Sequence, residues 1–142
     1  MLGRCAPTPP PPAAVPLPSK AGEEKLSLPT AFATIADRWH PRVAAVANGH
    51  DIRLVKTHGT FPWHAHADAD EVFLCWRGEF RIEFRDRVVT LGPGELLVVP
   101  RGTEHRTASD AEAEVLIFEP SEVVNTGDGA PSTFTAERTS LA

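Results

Sequence analysis

The chain has no tyrosine, and only two of its 142 residues are cysteine. Cys5 and Cys75 stand far apart, one in a proline-rich leader and one in an apolar stretch, so a scaffold stapled by disulfides is not indicated and a reduced cytoplasm is expected. No apolar run within residues 1–20 is long enough for a signal-peptide core or a membrane span, so no membrane role is expected. Runs of lysine and arginine are also missing, and the net charge is -5. Nothing therefore draws the chain toward nucleic acid or an anionic bilayer. Without tyrosine, and with no Lys/His couple or paired carboxylate clearly aimed inward beyond the candidate ligands named below, acid–base catalysis by side chains alone has little support.

What is present fits one domain, with 42% hydrophobic residues to build a modest core. Residues 6–18 are mostly proline and alanine and cannot supply the hydrogen bonds of a helix or a sheet, so residues 1–26 are expected to be a solvated leader. Docking of that leader to a proline-reading domain is the less favoured alternative. Ser27 as N-cap, Pro29 in the first turn, and Leu28, Phe32, Ile35, Ala36 and Trp39 at helical spacing predict a helix over 27–39. Short strands punctuated by Gly, Pro or Asp follow at about 42–47, 51–58, 61–66, 71–77, 79–85, 87–91, 95–99, 104–108 and 113–119. Such a pattern means an all-β sandwich or barrel over 27–128. Beyond Pro120 the chain thins into Ser, Thr, Gly and Asp, and 129–142 is expected to be a loosely held tail.

The chemistry lies between residues 59 and 105. On an extended strand His64 and His66 share a face, and Glu71 opens the next strand after the turn Ala67–Asp70. His105, distant in sequence, adds a third imidazole. Three imidazoles and a carboxylate suit one divalent ion such as zinc, iron, manganese, nickel or copper, and leave positions for water or substrate. Side chains expected to line the lumen are Phe73, Cys75, Thr103 and Thr107, with one face each of Leu96–Val99 and Val115–Phe118. Trp63 and Trp76 are expected outside, Arg81, Arg85 and Arg87 outward, and Asp68 and Asp70 in a solvated turn. His40 and His50 are expected at the surface, whereas His58, beside Gly59, is within reach of the barrel mouth.

Gly59, His64, His66, Glu71 and Gly78, followed by Gly94, Pro100, Gly102 and His105, resemble the two motifs of the cupin superfamily in its small single-domain form. A looser likeness runs from Ile52 to Asp128, through Val-Val-Asn-Thr-Gly-Asp. The resemblance implies an antiparallel jelly-roll barrel with a short N-terminal helix packed outside it. It also implies that His64, His66, Glu71 and His105 are the ligands of one metal ion. The spacer Thr60–Trp63 is one residue shorter than the common form, and Ser109 stands where the second motif often ends in asparagine.

Two kinds of function follow from that reading. A metal-dependent enzyme would act on a small organic molecule, either as an oxygenase or as a Lewis-acid isomerase or lyase in which Glu71 could shuttle a proton. The alternative is a non-catalytic module that binds or senses a small ligand. Proteins of this type are often labelled sugar-phosphate isomerase-like, mannose-6-phosphate among the substrates, but no inward cation is available for a phosphate. A homodimer is expected, because such barrels leave sheet edges to cover.

Overall fold

The computed structural model describes residues 25–141 together with Ala6, so the leader assigned to residues 1–26 lies almost wholly outside the described residues. In chain order the elements are α1 (Leu28–Ala33), β1 (Arg42–Ala47), β2 (His50–Thr60), β3 (Glu71–Arg77), β4 (Phe80–Glu83), β5 (Val88–Leu91), β6 (Leu96–Val99), β7 (Arg106–Pro120) and β8 (Thr139–Ser140). Helix α1 begins as the sequence suggests, with Ser27 accepting from the Thr30 amide and Pro29 in the first turn. It is shorter than the expected 27–39. The Thr34 hydroxyl donates to the Ala31 carbonyl, and the Thr34 and Ile35 amides tighten onto carbonyls three residues back. Trp39 then adopts a left-handed backbone conformation, its amide held by the Lys56 carbonyl and its indole N–H by the His58 carbonyl. Bonds to β2 thus replace the further helical turn that the periodicity promised.

The strands form one sheet in the order β5-β4-β7-β2-β1-β8, with β3 attached to β7 and β6 to β3. Every pairing is antiparallel except that of β8 with β1. Long strand β7 makes the fold possible: residues 106–108 pair with β4 and residues 114–118 with β3, while β2 runs along the other side of both halves. One strand therefore serves both walls of an antiparallel jelly roll. The barrel curls without closing, and β5, β6 and β8 are edges among the described residues. Where the sequence suggested separate strands at 104–108 and 113–119, a single strand runs through.

Alternation sorts the side chains. Val55, Phe73, Cys75, Phe80, Ile82, Val115 and Ile117 point into the lumen and pack together. Their strand neighbours Leu54 and Leu116 point out and receive Ala31, Phe32 and Ile35 of the α1 segment. Helix α1 therefore covers the outer face, as expected. Gly78 ends β3 at φ 86, where a Cβ would press on the Glu112 carbonyl and Ala113, so the tight turn between β3 and β4 requires glycine.

Residues 61–66 were expected to be a strand and are not one. Phe61 donates to the Thr107 carbonyl, Pro62 has no N–H to give, and the ladder resumes only as a single bridge between His64 and His105. The C-terminal tail also departs from expectation. Residues 139–140 add to β1, Arg138 pairs with Asp51, and Asn125 holds both the Phe134 carbonyl and the Ala136 amide. That segment is stitched across the barrel rather than loosely held.

Candidate metal centre

The His64–His105 bridge sets two imidazoles side by side, with ring centroids 4.4 Å apart. His66 follows two residues later, and Glu71 enters from the first position of β3. One ligand atom from each of these four residues lies within 4.8 Å of all the others. That spacing is short enough for all four atoms to approach a single ion. Relative exposures are 9% for His64, 5% for His66, 4% for Glu71 and 0% for His105. All the ligands expected from the sequence are brought together, although His64 and His66 are carried by an irregular segment.

The hydrogen bonds fix which atoms face inward. His64 Nδ1 lies 2.9 Å from the Pro62 carbonyl and His105 Nδ1 2.9 Å from the Thr103 carbonyl. A carbonyl can only accept, so each Nδ1 carries the hydrogen and each Nε2 is left with a lone pair. His105 Nε2, His66 Nε2 and Glu71 Oε2 are buried and have no hydrogen-bond partner. His66 Nε2 and Glu71 Oε2 stand 2.6 Å apart, but their directions do not suit a hydrogen bond. Unpartnered buried acceptors are rare because each costs about 1–3 kcal/mol. A cation among them would satisfy all three, so the donor set fits a divalent ion.

Burial first, and then the neighbouring His105, lower the pKa of His64 to about 4. His64 therefore keeps its lone pair free well below neutral pH. Burial alone would raise the Glu71 carboxyl, but the contact with His66 and the three imidazoles outweigh it and hold the group below its usual range. Glu71 is thus a carboxylate, the form a metal requires.

A second carboxyl stands behind the first. Glu119 follows Phe118, which pairs with Val72, and so falls opposite Glu71 across the β3–β7 ladder. Burial and the adjacent Glu71 push Glu119 well above the ordinary carboxyl range. Its Oε1 accepts from Arg53 at 2.8 Å, while its Oε2 has no partner. A proton kept there can be donated toward Glu71. Arg53 is itself buried and also binds Asp51, which in turn takes Arg138 and Ser121. No inward carboxylate pair was expected beyond the ligands; Glu119 pairs with the candidate ligand Glu71 itself, and Arg53 is an inward cation that the sequence pattern did not flag. Period-two counting from Val55 and Ile117 would have found both, because Arg53 and Glu119 share their inward parity.

Beside the ligands lies a narrow cavity of about 30 Å³ lined by Val55, Phe61, Phe73, Phe80 and Ile117, with Thr57, Thr107 and Asn125 as its polar members. Trp39 also lines it and tilts against Phe61 at 5.2 Å, and Phe134 meets Phe61 edge-on at 5.3 Å. Trp39 therefore lines the lumen mouth, where the sequence pattern had placed it on the helix. Ser109 is buried and hydrogen-bonded to Thr57 at 2.8 Å, which gives the atypical residue of the second motif a partner inside the barrel.

The other expectations divide. Cys75 is a buried free thiol in the lumen core. Trp63 lies outside under the Arg85 and Arg106 guanidinium groups, and Trp76 is exposed. Arg81, Arg85 and Arg87 make surface ion pairs. Asp68 is exposed, and Asp70 is paired with Arg101. His50 is exposed; His40 is partly covered, between Asp37 and Thr139. The His58 side chain is exposed and outside the cluster, and β6 turns one face inward as expected, Leu97 and Val99 packing in the lumen while Leu96 and Val98 face solvent.

The Cupin domain family model matches residues 52–119. The uncharacterized protein YdbB of Bacillus subtilis (strain 168) is 41% identical over 63 residues, which cover 44% of this chain and 56% of that protein. A crystal structure of a cupin-2 domain containing protein from Shewanella frigidimarina NCIMB 400 shares 41% identity and a TM-score of 0.66, covering 67% of this chain and 93% of that one. Protein NMB1881 from Neisseria meningitidis shares 30% identity and a TM-score of 0.64, covering 69% and 100%. On its jelly roll, its ligand cluster and these matches, the chain belongs to the cupin superfamily.

Proposed function

We propose that the chain is a metal-dependent enzyme acting on a small, largely apolar organic molecule, with one divalent ion held by His64, His66, Glu71 and His105. The observation that carries the reading is the set of buried, unpartnered acceptor atoms on His66, Glu71 and His105, converging with His64. When bound, an iron, manganese, nickel or copper ion would supply a place for dioxygen and substrate to meet, and a zinc or manganese ion a Lewis acid. The chain's own residues do the rest. His64 and His105 hold fixed tautomers, the aromatic lumen excludes water, and Trp39 with Phe61 and Phe134 narrows the entrance.

The apolar cavity supports an oxygenase-type reaction. The Glu71–Glu119 pair supports the second reading, an isomerase or lyase in which a proton moves between substrate and Glu71. A sugar phosphate is disfavoured, because Arg53, a buried cation, is already engaged by Asp51 and Glu119. Protein purified without added metal and assayed for bound ions, then reconstituted and offered 1,2-diketones, catechols and flavonoids, tests the proposal. Turnover abolished in a folded His66→Ala variant supports the enzyme. Tight ligand retention without turnover in every metal form would establish the non-catalytic binding module instead.

A cytoplasmic location belongs to this proposal, supported by the free Cys75. No helix among the described residues is long and apolar enough to cross a membrane. A homodimer belongs to it as well. Edge strand β6 exposes Leu96 and Val98 at 57% and 47%, and its backbone pairs only with β3 among the described residues. A light-scattering mass equal to one chain would refute the dimer.

A further inference from the structure

The three imidazoles are not held alike. His64 and His105 each anchor Nδ1 on a carbonyl two residues back, whereas no hydrogen bond to His66 Nδ1 occurs among the described residues. His66 is held through the backbone around it instead. Its carbonyl accepts from the Gly102 amide at 2.7 Å. On one side, the Ala65 carbonyl accepts from the Asp128 amide at 3.1 Å. On the other, the Ala67 amide donates to Asp128 Oδ2 at 2.5 Å. One residue, remote in sequence, thus grips both flanks of the least anchored ligand.

Building on the metal reading above, we propose that Asp128 is a positioning residue for the metal centre and that the Asn125–Asp128 turn exists to present it. The grip needs an N–H and a short acceptor from the same residue, which aspartate supplies. It also needs close approach. Gly127 sits at φ 76, and a Cβ built there would overlap the Ala65 carbonyl. The Gly127 amide bonds the Val124 carbonyl, Thr126 is buried and bonded to Thr135 at 2.8 Å, and Asn125 is fixed to Phe134 and Ala136. The turn is therefore braced from behind, and its position sets where Ala65 and Ala67 lie, and His66 between them. The sequence likeness through Asn-Thr-Gly-Asp thereby gains a physical reason.

The test uses the full chain with Zn²⁺ and Co²⁺ as probes. Asp128→Ala is expected to weaken Zn²⁺ binding about 10–100-fold, the usual cost of losing support behind a ligand. It should also change the visible spectrum of the Co²⁺ form and speed hydrogen exchange at the Ala67 amide of metal-free protein. Asp128→Asn, which keeps an acceptor oxygen, is expected to lie closer to wild type, and Gly127→Ala to behave like Asp128→Ala. Unchanged Zn²⁺ affinity and Co²⁺ spectrum in folded Asp128→Ala would overturn the positioning role, even if the melting temperature falls, because a merely structural residue moves stability alone. Unchanged Ala67 exchange would overturn the grip itself. Wild-type protein that takes up neither ion would overturn the metal reading and this role together, whereas wild type that binds and Asp128→Ala that binds equally well would overturn this role alone.

Discussion

Acidification should expose the buried state of His64 directly. The folded protein lowers its pKa from the ordinary 6.5 to about 4, so between those values the unfolded chain binds a proton that the folded chain refuses. Stability rises with pH wherever the unfolded state holds more protons, so the contribution of His64 is complete above about pH 6.5 and is lost as pH falls toward 4. At pH 5 the unfolded histidine is nearly all charged and the folded one nearly all neutral, which removes about 2 kcal/mol relative to pH 7. Glu119 acts with the opposite sign. Its carboxyl is raised, so the folded state keeps a proton that the unfolded chain gives up, and stability from this group falls as pH rises above 4.5. The two effects overlap, and the wild-type curve alone cannot separate them. Glu119→Gln removes the second while keeping a neutral donor toward Glu71. In that background, with chelator present and urea unfolding followed by tryptophan fluorescence, lowering the pH from 7 to 5 should cost about 2 kcal/mol, or roughly 5–10 °C in Tm. Adding His64→Gln should flatten the slope. Equal slopes in the single and double variants would refute the account of His64.

Three further outcomes follow from the same geometry. Glu119→Ala should destabilise the protein by about 1–3 kcal/mol in urea melts, since it leaves a buried Arg53 N–H without its acceptor while Asp51 still balances the charge, whereas Glu119→Gln should cost far less. A divalent ion at a hundred times its Kd should stabilise wild type by about 2.7 kcal/mol in a thermal melt, and His66→Ala should lose nearly all of that gain. Phe134→Ala should take up Zn²⁺ faster than wild type in stopped-flow mixing, because it removes the ring packed against Phe61 beside the lumen.

The cluster of His64, His66, Glu71 and His105 was legible as a possible metal site because few residue types bind metals and their spacing survives any local irregularity. What failed was the local geometry. His64 and His66 were assigned a regular strand, but Pro62 removes the donor that such a strand needs. Trp39 had helical spacing, yet two hydrogen bonds to β2 outweighed a weak propensity for one more turn. Arg53 and Glu119 carry charge, which ordinarily turns a strand residue outward, although their parity with Val55 and Ile117 points inside. The 129–141 segment carries no hydrophobic period at all. Its order comes from ion pairs and amide bonds to partners such as Asp51, about which local sequence is silent.

That segment also gives the molecule a history. His40 meets Thr139 across 99 positions of chain, and β8 joins β1 over a similar span. Joining segments so far apart costs on the order of 4 kcal/mol in chain entropy, which the contacts of β8 and Arg138 must offset. During synthesis every candidate ligand, from His64 to His105, leaves the ribosome before Phe134 and Thr139 do. Until this segment docks, Phe61 stands without Phe134 against it, and an ion would be loaded most easily in that interval.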